Sequence, residues 1–534
     1  MTAVDSMTLK GMEPAWRLRW LTPARCRMIL AAVLLLDVLG HVHYLNHDCP
    51  IDLAGDEAQY WDWSRNLDWS YYSKGPLVAY IIRASRAIFG DTIQGVRYPA
   101  IAFGVGSAIV TYLLTRRLFG SERLALGTVL LLHIIPLFIG GSVIMTIDPP
   151  MFFCWALGTY FAAGAIFERK QWNWPLVGLA IGVGFLAKYA AFLWFVGALV
   201  FLIFDRRTHW RGMLVAFIVA LLCTIPVIVW NMQHGWVTFF HVARQTGVKG
   251  GSIAHGNLLE LLGSQFLAVG PVIVALMIFG IHFAFSLEHR DNPHRQKLIF
   301  LTWIGVTFFA LTVLTSLFTK VQVNWPAPAY FTLLILAAYY LATRLHDLDL
   351  WRPWRWWFYG TVIVGLITIP IAHDSAILFP VAKALKVDPA KVDVIMRLRG
   401  WRLLGEHVTA QLDQLGPDAF VMCDDYMQTA ETAFYVKGQP RTYYAGSYFT
   451  DAKRFTQYDL WPDRQLSDPK LIGRNAIYVG KGGGLPKDIE RAFERVEQLP
   501  ELRVIVRGVT VRTFKTWRGF VFKGMNRSGG RGDY

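Results

Sequence analysis

Long apolar runs alternate with short basic loops up to about residue 373. Several runs reach the roughly 17–25 residues that a helix needs to cross a bilayer. Eleven segments read as spans, at roughly 27–45, 96–115, 124–142, 150–167, 172–187, 189–204, 213–230, 262–285, 298–317, 327–343 and 356–372. The first, Met28 to Leu45, lacks a small-residue cleavage site, so a retained anchor is expected. Residues 172–204 are too long for one span, since a single helix of that length runs about 45 Å against a core of ~30 Å. Both flanks are basic, at Glu168-Arg169-Lys170 and Asp205-Arg206-Arg207. A hairpin is therefore expected, with Lys188-Tyr189 at its recessed tip.

Two regions fall outside the spans. The loop 46–95 contains an amphipathic stretch, Pro76–Phe89, whose Arg83 and Arg86 recur at helical spacing and suit a helix lying on the membrane interface. Residues 374–525 are more polar and mix a helical stretch, Lys391 to Leu415, with β-rich runs at Ala476–Gly480 and Arg503–Phe514. The expected organisation is a short segment 1–26, a transmembrane catalytic domain 27–373 carrying the loop 46–95, an α/β domain 374–525, and a disordered Gly/Arg/Ser-rich tail 526–534. The Arg-Gly-Asp at 531–533 reads as coincidence, and there is no internal repeat.

Composition agrees with the pattern. Of 534 residues, 54% are hydrophobic and only 17% charged, and the mean hydropathy is +0.35, which argues against an ordinary soluble domain. A net charge of +15 on a soluble protein would raise nucleic acid as a partner. Here the basic residues collect in one set of loops, around Arg17, Arg19, Arg25 and Arg27, then Arg116, Arg117 and Arg123, Arg169 and Lys170, Arg206, Arg207 and Arg211, Arg290, Arg295 and Lys297, and Arg344, Arg352 and Arg355. The short loops of opposite parity hold little beyond Lys188 and Lys320. The lipid bilayer is thus the expected partner, with no nucleic acid. The positive-inside rule places the N-terminus in the cytoplasm and, with eleven spans, the C-terminal domain outside. Five cysteines form no metal spacing; Cys49 and Cys423 could share an oxidising compartment, but free thiols are expected.

Five positions could carry chemistry. Asp56-Glu57 follows Gly55 and opens the aromatic run Ala58-Gln59-Tyr60-Trp61-Asp62-Trp63. The plain reading is a helix-capping carboxylate. The functional reading is a partly desolvated general base, since burial near a membrane surface raises a carboxylate's pKa. Asp148, in Thr146-Ile147-Asp148-Pro149-Pro150, reads as a helix cap too, but charge at such depth tends to be functional. Lys74, Lys188 and Lys320 are each ordinary interface lysines taken singly. Together, on a base-poor face beside two carboxylates, they suggest a lipid phosphate, whose charge lysine stabilises as a leaving group departs. Tyr60, Tyr72, Tyr189, Asn324, Trp325 and Glu57 are candidate supporting residues. In the outer domain, Asp424-Asp425-Tyr426, Tyr443-Tyr444 and Gln457-Tyr458-Asp459 read as domain core and rim, or as an acceptor surface. His41, His43 and His47 read as membrane-boundary residues. No Walker A loop, HExxH or GxSxG is present.

An ordered set of motifs then narrows the class. Gly55-Asp56-Glu57-Ala58-Gln59-Tyr60-Trp61, Tyr72-Ser73-Lys74-Gly75-Pro76-Leu77, Phe89-Gly90-Asp91, Val96-Arg97-Tyr98-Pro99, Thr146-Ile147-Asp148-Pro149, Leu186-Ala187-Lys188-Tyr189 and Asn324-Trp325-Pro326-Ala327 follow one another across roughly residues 50–330. This resembles the lipid-linked sugar transferases of the GT-C class, in the group of bacterial protein O-mannosyltransferases and lipid A aminoarabinose transferases.

The resemblance implies a GT-C-like α-helical polytopic protein with an extracytoplasmic α/β domain, in the bacterial inner membrane. It implies a glycosyltransferase that moves a sugar from a polyprenyl-phosphate donor to an extracytoplasmic lipid, lipopolysaccharide or protein, with inversion. Asp56 matches the family's acidic residue in the first loop, Asp148 its second acidic position, and Lys74 a lysine facing the lipid phosphate. Where aminoarabinose transferases carry Glu before that lysine, this chain has Ser73, which leaves a divalent metal without its expected ligand. The rival reading is a transporter or flippase, which calls for charged or broken helices near the midplane and often for inverted repeats.

Overall fold

The computed structural model describes residues 20–47, 49–204, 209–245, 256–344, 348–451 and 454–527. The readings at Arg17, Arg19, Arg206 and Arg207, and most of the 526–534 tail, lie outside the described residues. The chain divides into two compact units. The first comprises 1–44, 98–232 and 242–369; the second comprises 45–97, 233–241 and 370–534.

The first unit is all helix. Pro23–Asn46, Ile93–Phe119, Asp148–Phe167, Trp210–Gln233, Arg295–Ser316 and Arg355–His373 are each long and apolar enough to cross a bilayer. Leu258–Val269 and Pro271–Phe285 pass together, bent by 103°. The bend falls at Gly270, whose φ of +97° suits glycine, followed by a proline that cannot continue the first helix's hydrogen bonding. Asn173–Ala187 and Tyr189–Phe204 are shorter apolar helices. Every segment expected to span contains helix, but the stretch 124–142 is two pieces, Glu122–His133 and Pro136–Gly141. Pro136 lacks the amide proton the ladder needs and pushes Ile135 into extended backbone (ψ 117°).

The 172–204 stretch does turn back. Helix stops at Lys188, which is extended (φ −144°, ψ 123°), and a 3-10 turn at Tyr189–Phe192 follows. Trp194 Nε1 then donates to Thr159 Oγ1 at 2.9 Å, and Phe201 reaches Phe300, the ring that also meets Phe167. The chain therefore descends beside Asp148–Phe167 toward that helix's C-terminal end. Small residues allow helices to approach closely here: a Cβ on Gly158 would lie 2.7 Å from Ile181 Cδ1, and one on Gly178 would lie 2.2 Å from the carbonyl oxygen of Ala216 in the Trp210–Gln233 helix. The Phe167 end of the bundle gathers ion pairs, with Arg117 to Glu168 at 2.9 Å and both Arg27 and Arg116 to Glu122 at 3.0 Å.

The second unit is α/β. Its strands are β1 (Phe420–Cys423), β2 (Thr442–Tyr444), β3 (Ala476–Gly480), β4 (Phe493–Gln498), β5 (Leu502–Val506) and β6 (Val509–Phe522), in the order β2-β1-β3-β6-β4 with β5 on β6. β1 pairs in parallel with β2 and β3 and is buried on both faces, as parallel strands generally are. Alternate residues split between two cores. Phe420, Met422 and Tyr478 pack one side with Tyr448, Leu466 and Trp517. Val421, Cys423, Ile477 and Val479 pack the other with Trp401, Leu404 and Phe514.

Ala476–Gly480 is the strand expected, but Arg503–Phe514 is a hairpin. Arg507 and Gly508 both take positive φ (47° and 74°), the two-residue turn whose twist matches paired strands. The helical stretch expected over Lys391–Leu415 forms regular helix only from Trp401 to Leu415. Loop 46–95 folds with this unit through two helices, Gly55–Arg65 and Leu77–Phe89. Arg527 joins it as well, bonding to Asp459 at 2.9 Å. Cys49 and Cys423 are free thiols.

Candidate active site

Each unit carries part of the candidate chemistry. In the second unit, Asp56 and Glu57 open the Gly55–Arg65 helix, yet they stand in different environments. Glu57 is fully buried. Its carboxylate accepts from the Ala54 backbone N–H at 2.9 Å and pairs with Arg97 at 2.8 Å, which is also fully buried. Arg97 in turn donates to the Asp52 carbonyl at 2.7 Å. Breaking such a pair strands a buried charge and costs roughly 3–5 kcal/mol. Glu57 is therefore the helix cap and the anchor of the loop. The capping role that Asp56 could have taken is filled by its neighbour, and Asp56 stays half-buried.

The C-terminal domain packs on this helix. Gly55 lies so close to Met427 that an added Cβ would sit 2.5 Å from that residue's Cβ. Trp61 meets Phe434 edge-on at 5.0 Å, and Leu53 N–H donates to Tyr435 Oη at 2.7 Å. Asp52 accepts from Trp401 N–H at 2.8 Å. Tyr426 is within electrostatic reach of Asp56, and its phenol is raised above the usual value by burial first and by Asp56 second. Arg454 lies over the Tyr426 ring at 4.4 Å. Within Asp424-Asp425-Tyr426, Asp425 caps the Tyr426–Tyr435 helix through Met427 N–H at 2.9 Å and pairs with Lys481 at 2.7 Å.

Lys74 is half-buried at the end of a tight turn in which Tyr71 N–H donates to the Lys74 carbonyl at 3.1 Å. Tyr60 and Tyr72 are buried; Tyr60 packs edge-on against Trp63 at 5.1 Å.

In the first unit, Asp148 is the first residue of its helix and makes no side-chain cap. Its two oxygens are instead engaged from afar: Lys188 Nζ donates to one at 2.6 Å and Asn324 Nδ2 to the other at 2.6 Å. Lys188 Nζ lies 6.0 Å from the Trp325 ring centroid, a loose cation–π distance. Asp148, Lys188, Asn324 and Trp325, far apart in sequence, thus form one cluster. The next residue, Pro149, lines an apolar cavity with Phe103, Phe152 and Phe331. The Tyr189 ring packs at a tilt against Phe185, 4.8 Å between centroids. Lys320 stands apart: it is exposed and its ion pair is with Glu260, at 3.6 Å.

Several pairings were not foreseen from sequence. Asp37 pairs with His41 at 3.4 Å, and His41 Nε2 meets Ser142 Oγ at 3.2 Å, so His41 is buried among helices of the bundle. An acidic residue inside an apolar run with histidine four positions on was the available signal. Arg97 stands in a motif, but its pairing with Glu57 had no local signal, and neither had Arg464 on the buried Asp62 at 3.1 Å. Among the described residues no three His, Cys, Asp or Glu side chains gather as a metal group.

Known proteins are similar in sequence and in architecture. Residues 73–230 match the family model described as dolichyl-phosphate-mannose-protein mannosyltransferase. A lipid A galacturonosyltransferase of Rhizobium johnstonii is 30% identical over 316 residues, 58% of this chain and 65% of the relative. This chain is related to the GT-C lipid-linked sugar transferases. A second relative of that kind, an undecaprenyl phosphate-alpha-4-amino-4-deoxy-L-arabinose arabinosyl transferase of Pseudomonas paraeruginosa, is 32% identical over 185 residues, 33% of this chain and 32% of that one. The alignments span less than two thirds of either relative. The crystal structure of ArnT from Cupriavidus metallidurans bound to undecaprenyl phosphate matches with a TM-score of 0.63 at 16% identity, over 92% of this chain and 97% of that one. At that identity the likeness is one of fold, and the GT-C architecture, helical membrane part plus sheet domain, is the one this membrane protein has.

Proposed function

We propose that the chain is an inner-membrane glycosyltransferase that moves a sugar from a polyprenyl phosphate to an extracytoplasmic acceptor, with inversion at the anomeric carbon. The observation that carries the reading is the division of labour at Asp56-Glu57. Glu57 is consumed by the cap and by Arg97, which leaves Asp56 half-buried at the same helix start in a chain with the GT-C motifs in order.

In this reading Asp56 accepts the proton of the acceptor hydroxyl as that oxygen attacks the sugar's anomeric carbon. The bond from that carbon to the phosphate oxygen breaks, and the polyprenyl phosphate leaves with the electron pair. Lys74 and Lys188 offset the charge that grows on the phosphate. Asp148 and Asn324 act one step removed: a carboxylate with both oxygens engaged holds the Lys188 ammonium in place. The basic ends of the bundle, at Arg27, Arg116 and Arg117, support a cytoplasmic N-terminus and an extracytoplasmic α/β domain. The lipid A acceptor in the Rhizobium relative's name makes a lipid-anchored saccharide the acceptor class to test first.

Purified full-length Asp56→Asn, in lipid nanodiscs, should lose transfer by on the order of a hundredfold or more while still binding undecaprenyl phosphate. Undiminished turnover would overturn the assignment.

A further inference from the structure

The Lys74 turn is held from two sides by groups remote in sequence. Tyr72 N–H donates to Gln457 Oε1 at 2.7 Å, across 385 residues. Tyr71 carbonyl accepts from Thr238 Oγ1 at 3.1 Å, across 167 residues. Both Gln457 (2% exposed) and Thr238 (1% exposed) are buried, so neither bond competes with bulk water. The Tyr72 ring is packed at the same place, against His241 at 5.0 Å and Phe455 at 5.8 Å. Lys74 follows Tyr72 by two residues, and its own carbonyl closes the turn onto Tyr71 N–H.

The segment that supplies Gln457 is itself rigid. Asp459 accepts from Thr456 N–H at 2.7 Å and from Thr456 Oγ1 at 2.9 Å, locking the turn that Gln457 occupies. Ser447 bonds to the other Asp459 oxygen, and Arg527 to that same oxygen at 2.9 Å. A carboxylate with this many donors is a fixed point. The carboxamide two residues before it is thereby aimed.

We infer that Gln457 of the C-terminal domain, seconded by Thr238, is a positioning residue that sets the direction of Lys74 toward the lipid phosphate. The inference rests on the reading of Lys74 as a phosphate-facing residue. Its physical content is specific. Gln457 must supply an acceptor at Oε1, because the group facing it is a backbone N–H. A leucine of similar volume strands that N–H; a glutamate does not.

The test is binding of undecaprenyl phosphate by full-length protein in nanodiscs, with thermal stability measured on the same samples. Gln457→Leu should weaken binding by about tenfold, the equivalent of 1.4 kcal/mol. Gln457→Glu should restore it to within about threefold of wild type. Thr238→Val, which keeps the shape and removes the hydroxyl, should weaken binding in the same direction and serves if Gln457→Leu does not fold. A purely structural role predicts a lowered melting temperature with unchanged binding by the folded fraction, and that result overturns the inference. Lys74→Ala separates the two levels. If Lys74→Ala binds as wild type does, the phosphate reading of Lys74 falls and this inference with it. If Lys74→Ala loses binding while Gln457→Leu and Thr238→Val keep it, only the positioning role is overturned.

Discussion

At the residue scale, burial sorts the carboxylates by role. Asp148 faces two donors, one on each oxygen, and replacing its carboxylate by a carboxamide of the same shape should release Lys188. Asp148→Asn is expected to lower lipid-phosphate affinity about ten- to a hundredfold, the worth of one charge-assisted bond, with little change in melting temperature. Titration calorimetry with undecaprenyl phosphate measures it, and wild-type affinity would exclude the role. Glu431 is the opposite case. It is fully buried, and desolvation first, then Asp52 and Glu57, raise its carboxyl well above the usual range, with Arg512 and Arg97 pulling the other way. The folded state therefore holds this proton more tightly than the unfolded chain does. Its stabilisation is complete below the ordinary carboxylate value of about 4.3 and fades as pH climbs toward the folded value. Glu431→Gln should raise the melting temperature more at pH 8 than at pH 5; equal shifts at both would refute this. Asp56 was legible as a candidate because its motif stands in the sequence. Arg97 as the partner of Glu57 was not, because a pair 40 residues apart leaves no spacing to read.

At the scale of elements, periodicity located the helices well and their breaks poorly. The Pro76–Phe89 stretch is helix from Leu77 because its apolar face repeats at helical spacing. The interruption at Ile134-Ile135 sits in a run that is apolar apart from His133, where mean hydropathy shows continuity and Pro136 is the main warning. The same holds for the hairpin within 503–514, whose turn depends on positive φ at Arg507, a residue with no strong preference for it. Close packing of the Gly55–Arg65 and Tyr426–Tyr435 helices can be tested directly. Gly55→Ala forces its new methyl onto Met427 and should destabilise the protein by about 1–3 kcal/mol. The Gly55→Ala, Met427→Gly pair should lose less than the two single changes together. Strict additivity in thermal denaturation would mean that the two positions do not press on each other.

At the scale of the whole molecule, the second unit is assembled from three separated stretches of chain. Sequence reading separated loop 46–95 from domain 374–525, since each has its own local pattern. What joins them is a set of bonds such as Leu53 to Tyr435 and Asp52 to Trp401, 382 and 349 residues apart, which no window of local pattern contains. A chain ended at residue 373 should therefore insert its helices yet leave the loop unfolded. Limited proteolysis should then cut between residues 46 and 95 in the truncated protein and spare them in the full chain; equal protection in both would show that the loop folds alone.

The partner that holds the Lys74 turn lies 385 residues downstream of it. Translation proceeds at about 5–20 residues per second, so tens of seconds separate the synthesis of the two. The loop bearing Asp56 is thus made long before the polypeptide that gives it shape. On the proposed reading of the site, a donor lipid meeting the nascent protein in that interval would find a carboxylate and an amine not yet set to work together.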